Sequence, residues 1–186
     1  MKELSLNVLD IAENSVKARA TLIRIALEET DEILTLTVAD NGCGMREEIL
    51  RGVIDPFYTT RTTRKVGMGI PLLKLAAEQT GGEIRITSRH ESEFPSTHGT
   101  EVVARFYKNH IDFTPMGDIV STMTTLIQGS PEIDFDFLHS SDRFRVTLDT
   151  RQLREILGEE IPLSSPEILS WIAQYLGEQY ENLSSH

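Results

Sequence analysis

Asp10 and Asn14 stand four residues apart in the segment LSLNVLDIAENSVKARA. On a helix that spacing puts both side chains on one face, a turn apart. A magnesium ion bridging the oxygens of a nucleoside triphosphate takes one or two oxygen ligands from protein and keeps several waters. The Asn14 amide oxygen suits that role, although a polar helix flank would carry the same residues. Further on, Asp40-Asn41-Gly42-Cys43-Gly44-Met45 follows an alternating segment. A carboxylate just past a strand can accept a hydrogen bond from the adenine amine. Gly42 and Gly44 allow positive φ and close approach of a ligand. The competing reading is a tight turn, since Asn-Gly is a common turn former. A third group runs Asp55-Pro56-Phe57-Tyr58-Thr59-Thr60-Arg61 and then Val66-Gly67-Met68-Gly69-Ile70. Glycines leading into a helix start make an anion site from free amides and the positive dipole end. Arg61, Arg64 and Lys65 between them suit a lid over phosphates, or equally a basic surface loop. A fourth group is Gly99-Thr100.

The elements that must position these groups follow from periodicity. Leu4, Val8, Ile11, Ala12 and Ser15 recur at helical spacing, which predicts a helix over 3–18. Residues 21–29 and 32–39 alternate apolar and polar side chains and predict two strands joined at Thr30-Asp31. A short helix near 46–52, a helix over 69–79 stopped by Gly81-Gly82, and strands over 83–90 and 100–107 complete the first region. The order predicts an α/β sandwich, a mixed or antiparallel sheet covered by helices. Residues 108–115 read as a linker. Residues 116–186 read as a small C-terminal α+β appendage: helix 116–128, strands 132–138 and 143–149, helix 151–157 and helix 165–182. Ser164-Ser165-Pro166 has the form of a serine-capped helix start. Phe135 and Phe137 alternate with Asp134 and Asp136, as in a hairpin with one apolar face. Such a hairpin is not stable in isolation; it needs the flanking helices, the first region or another subunit.

Composition narrows the function classes. The 186 residues are 39% hydrophobic and 25% charged, with a formal net charge of −11. Residues 1–107 hold 13 basic and 16 acidic groups; residues 108–186 hold 5 and 13. Nucleic-acid binding rests on neutralising phosphates with Lys and Arg, so nucleic acid is not expected as a partner. No apolar run is long enough to span a membrane. The first residues carry acids where a secretory leader needs an apolar run. The single cysteine, Cys43, cannot form an internal disulfide. A cytoplasmic location with no membrane partner is the expectation.

Together and in this order, the four groups resemble the GHKL ATPases, which include sensor histidine kinases, gyrase-type topoisomerases, the chaperone of that fold and MutL proteins. The resemblance covers about residues 1–107. Glu13-Asn14-Ser15 looks like the family's asparagine box, Asp40 to Met45 its first glycine box, Asp55 to Arg61 its phenylalanine box and Gly67-Met68-Gly69 its second glycine box. The resemblance implies that ATP or ADP binds through Asn14, Lys17, Asp40, Gly42, Gly44, Met45, Phe57, Thr59, Thr60, Arg61, Lys65, Gly67, Met68, Gly69, Ile70 and Thr100. It also implies Mg2+ on Asn14. The DPFYTTR segment looks like a histidine kinase, whereas DIAENS looks like MutL, where an acid four residues before the asparagine is the general base. Here that acid is Asp10 rather than glutamate. Lys65 stands where a further glycine is usual.

A histidine kinase also carries a phosphoacceptor histidine on a hairpin ahead of its ATP domain. The sequence opens on the asparagine-box helix, and His90-Glu91 falls at a strand end, so autophosphorylation on histidine is not expected. The expected function is a Mg-ATP-binding protein acting as a slow ATPase and nucleotide-dependent regulator. A serine kinase of the anti-sigma-factor type and a non-catalytic subunit of a larger complex are the alternatives. A protein partner is expected to use the C-terminal region, and a homodimer is compatible with the sequence.

Overall fold

The structure, a computed structural model, describes residues 3–54 and 68–184. Helix α1 (Leu4–Lys17) buries Leu4, Val8, Ile11, Ala12 and Ser15, the stripe its periodicity predicts. It ends at Ala18, and Arg19, with φ 63°, turns the chain into β1 (Leu22–Glu29). Strand β2 (Ile33–Asp40) returns antiparallel through a turn at Thr30, where Thr30 N donates to Ile33 O at 2.8 Å. Then come α2 (Glu47–Ile54), α3 (Gly69–Gln79), β3 (Glu83–Arg89) and β4 (Gly99–Tyr107). The second region supplies α4 (Ile119–Gly129), β5 (Asp134–Ser140), β6 (Arg145–Asp149), α5 (Thr150–Leu157) and α6 (Pro166–Ser184).

All six strands form one sheet in the order β3-β4-β2-β1-β5-β6. The β1–β5 pairing is parallel and the others are antiparallel, so the sheet is mixed. Alternation sends Ile23, Ile25, Leu27, Leu34, Leu36, Val38, Phe106, Phe135, Phe137 and Leu148 to the buried side. Helices α1, α3, α4 and α6 contribute Leu4, Leu73, Met123, Ile172 and Leu176 to the same core. Removing one such phenylalanine side chain costs about 3–5 kcal/mol.

The segment expected as a linker is bonded to the first helix: Leu4 N donates to Pro115 O and Ser5 N to Met116 O, both at 2.9 Å. Phe113 packs edge-on against Phe106, with ring centroids 6.3 Å apart. The predicted C-terminal hairpin is present, and β5 lies directly on the edge of β1. The helix predicted from residue 116 starts at Ile119. Gly117 adopts φ 74°, where a Cβ would lie 2.4 Å from Glu3 Oε2, and Asp118 caps the helix by accepting from Ser121 N. The expected serine cap of α6 is corrected: Ser165 Oγ is buried and makes no hydrogen bond, while Ser165 O accepts from Leu169 N at 3.0 Å. Pro166 has no N–H, which removes one of the donors a cap would satisfy. No helix among the described residues is long and apolar enough to cross a membrane.

Candidate functional site

Asp40 closes β2, and its carboxylate is fixed from three elements. Ser15 of α1 donates its hydroxyl to Oδ2 at 2.6 Å. Gly42 N of the glycine turn donates to Oδ1 at 2.8 Å, and Thr100 N of β4 donates to Oδ1 at 3.3 Å. An ionised carboxylate offers roughly four acceptor positions. Three donors therefore orient Asp40 and leave it the capacity to accept one more.

The loop after Asp40 is held equally closely. Asn41 Oδ1 accepts from Thr21 N and Leu22 N at 2.8 and 3.0 Å, tying the loop to the start of β1. Cys43 N donates to Ala18 O at the end of α1 (2.8 Å), and His98 Nδ1 lies 2.5 Å from Gly42 O. Gly44 has φ 73°, and a Cβ there would fall 1.9 Å from Arg89 O. Only glycine fits that close approach to β3. Met45 N donates to Ser88 Oγ at 2.7 Å, and Ser88 Oγ lies 2.7 Å from Thr100 Oγ1.

These groups border a cavity of about 260 Å3. Its apolar wall comes from Ile11, Val38, Met45, Ile49, Val53, Ile70 and Val102; Asn14, Ser15, Lys17, Asp40 and Thr100 supply the polar groups. An apolar slot with one oriented carboxylate suits a flat heteroaromatic base bearing an amine. Asn14 and the exposed Lys17 add a neutral oxygen and a cation on the α1 side, a donor set that suits a phosphate chain and its hard cation.

Of the predicted residues, Asn14, Lys17, Asp40, Gly44, Met45, Ile70 and Thr100 line the cavity together. Gly42 lies beneath it, holding Asp40. Asp10, Met68 and Gly69 are not on its wall. Met68 precedes Gly69 at the start of α3, and a Cβ on Gly69 would lie 3.0 Å from Asp10 Cβ. Phe57, Thr59, Thr60, Arg61, Lys65 and Gly67 lie outside the described residues. Sequence reasoning found Met45 and Ile70 but missed Ile11, Val38, Ile49, Val53 and Val102 of the apolar wall, and the supporting Ser88. Ser88 had a signal: it continues the inward register of Ile84 and Ile86 on β3, a polar residue on an apolar face. Ile49 and Val53 had a weaker one, four residues apart on a short helix.

Comparison with known proteins agrees with this geometry. A family model described as histidine kinase-, DNA gyrase B-, and HSP90-like ATPase matches residues 2–130. The signal transduction histidine-protein kinase AtoS of Escherichia coli (strain K12) is 28% identical over 88 residues, 47% of this chain and 14% of the relative. A probable C4-dicarboxylate sensor kinase of Bacillus subtilis (strain 168) is 31% identical over 74 residues, 40% of this chain and again 14% of the relative. The chain thus spans about one seventh of the length of these curated relatives. Among solved structures, the Aquifex aeolicus MutL ATPase domain complexed with ADP superposes with a TM-score of 0.55 at 16% identity, covering 84% of this chain and 69% of that one. That likeness concerns the fold. The chain belongs to the histidine kinase-, DNA gyrase B- and HSP90-like ATPase family, and its matched segment is an ATP-binding domain of that family.

Proposed function

We propose that this protein binds ATP with magnesium, hydrolyses it slowly, and acts as a nucleotide-dependent switch on a protein partner. The observation that carries the reading is the Asp40 carboxylate, held by Ser15, Gly42 and Thr100 at the wall of the cavity that Asn14 and Lys17 also line. Asp40 accepts the adenine amine in this reading. Asn14 offers its amide oxygen to the magnesium that the triphosphate brings; one neutral ligand is enough for an ion that keeps its waters. Among the described residues no group of three or more His, Cys, Asp or Glu could hold a metal without the nucleotide. Met68 and Gly69, at the start of α3, supply amides to phosphate. Asp10, beside the start of α3, orients the attacking water. Aspartate is one methylene shorter than glutamate, and a misplacement of about 1 Å can cost roughly a hundredfold in rate, so turnover is slow.

Titration calorimetry tests the reading. ATP should bind and GTP far more weakly, because guanine places a carbonyl oxygen where adenine presents its 6-amine to Asp40. Asp40→Asn should lose most ATP affinity while keeping a cooperative melt. Asn14→Ala should weaken ATP binding in magnesium more than in chelator, and Asp10→Asn should bind ATP normally yet release little phosphate. Equal ATP and GTP affinity would sink the assignment of Asp40. Labelled phosphate transferred to an added protein instead of water would favour the kinase reading, towards which the names of the sensor-kinase relatives lean.

A further inference from the structure

Helix α6 turns Ile172 and Leu176 into the core and leaves Trp171 and Tyr175 outside, 47% and 36% exposed. The two exposed rings stack on each other at 5.0 Å between centroids and 9° between planes. They stand four residues apart, and the same stripe carries Glu167 one turn before and Glu178 one turn after. Both glutamates are exposed, and neither forms a salt bridge with a described residue. Of the five Lys and Arg residues after Tyr107, Arg151 pairs with Asp136 and Asp149, Arg154 with Asp134, and Lys108 with Glu29, while Arg143 and Arg145 form no salt bridge with a described residue. The exposed aromatic stack thus lies between two carboxylates on a helix that carries no lysine or arginine of its own.

We propose that this stripe of α6 is a docking surface for a basic protein segment, an arginine- or lysine-bearing helix or loop. A cation over the indole face gains a cation–π contact, for which tryptophan is the best partner. The flanking basic residues of the same segment reach Glu167 and Glu178. A second copy of this chain fits the stripe poorly. A two-fold interface places the same patch on both sides, so the glutamates of one copy would meet those of the other on molecules that each carry a formal charge of −11. The proposal does not depend on nucleotide, since α6 lies outside the cavity.

Trp171 is the only tryptophan, so its emission reports this surface directly. The full chain, without nucleotide, is titrated with an amidated Ala/Arg helical peptide and with its Ala/Glu counterpart. The Arg peptide should give a saturable change in Trp171 emission, and the Glu peptide none. By calorimetry, Trp171→Leu and Glu167→Gln/Glu178→Gln should each weaken binding about fivefold, the size of a cation–π or rim charge contribution at an exposed site. Glu159→Gln/Glu160→Gln removes the same charge away from the stack and should leave binding nearly unchanged. Equal losses from both glutamine pairs would mean diffuse attraction to an acidic surface and overturn the proposal. So would absence of saturable binding, or a concentration-dependent dimer whose formation shifts Trp171 emission. Folding of each variant is checked by its thermal melt.

Discussion

The two ends of the β1–β2 hairpin use their carboxylates in opposite ways. At one end Asp40 is held by three donors and still faces a cavity with acceptor capacity unspent. At the other, Glu29 is enclosed by His139 and Lys108; the acids of β5 and β6, which lie beside the start of β1, are consumed in the same fashion. Asp149 takes Arg151 through Nε and Nη2 at 3.0 and 2.9 Å, and Asp134 takes Arg154 Nε at 2.6 Å. A buried polar network stabilises when every member is satisfied. A binding site needs a group that is oriented but not fully satisfied. By that criterion the cavity at Asp40 is the candidate site, and the paired acids at Glu29 and on β5 and β6 hold the sheet together.

The strongest way to break this contrast is to cut the chain after Tyr107. If the second region were merely attached, the first would survive alone. Instead β5 pairs along the whole of β1, and α4 covers α1, the helix that carries Asp10 and Asn14. The cut removes Met123, Leu126, Ile127, Phe135, Phe137, Ile172 and Leu176, all buried. At about 1.5–3 kcal/mol each, their loss matches or exceeds the roughly 5–15 kcal/mol net stability of a domain. The fragment is expected to lack a cooperative melt by circular dichroism and to bind a hydrophobic dye. A sharp transition with ATP affinity retained would show two independent units.

A finer test compares two glycines of nearly equal φ, Gly44 at 73° and Gly158 at 74°. Alanine is strained at positive φ in either place, by about 1–3 kcal/mol. At Gly158 nothing lies within 4 Å of the added Cβ, so Gly158→Ala should lower stability by that amount and leave ATP affinity unchanged. At Gly44 the Cβ would meet Arg89 O at 1.9 Å, so the loop must move away from β3 and lose the Met45–Ser88 bond. Gly44→Ala is expected to lower the melting temperature further and to weaken ATP at least tenfold, a loss of about 1.4 kcal/mol. Identical ATP affinity in the two variants would separate the loop from the site.

Much of this was legible because the relevant signals are local. Helical spacing located α1, alternation located the strands, Asp40, Gly42 and Gly44 could be read from the glycine turn after a strand, and Thr100 from the family resemblance. What escaped depends on distant pairing. Nothing in IDFDFLHS announces that Phe135 will lie beside Ile23 in parallel register; the hairpin signal says only that some partner is needed. Most of the apolar wall escaped for a related reason, since Val38 and Val102 look like ordinary core residues until the sheet brings them under one cavity. Ser165 misled because Ser-Pro before an apolar run has the form of a cap whether or not the hydroxyl turns towards the helix.

The smallest expected effect concerns Glu29 and sharpens the contrast from the structural side. His139 is buried, with Nε2 3.3 Å from Glu29 Oε2 and Nδ1 2.8 Å from the Tyr180 hydroxyl of α6. The hydrogen bond with His139 holds the Glu29 carboxyl below its ordinary range, against the opposing effect of burial, and Lys108 adds to the lowering. Burial first, and then the Glu29 charge, push the Tyr180 hydroxyl up, so it stays protonated. The sign follows from linkage: a carboxyl with a lower pKa folded than unfolded contributes stability above its unfolded value, about 4.3, and loses it as pH falls through the folded one. Glu29→Gln should therefore cost about 1 kcal/mol at neutral pH, and the gap from the parent should close as pH falls from about 5 to 3. Asp118 and Asp149, whose carboxyls are also held low by Ser121 and Arg151, remain in both proteins, so the difference between the two melting curves isolates Glu29. ATP affinity at neutral pH should not change, because Glu29 is not on the cavity wall. A gap that stays constant across that pH range would mean that the contribution of Glu29 is packing and not charge.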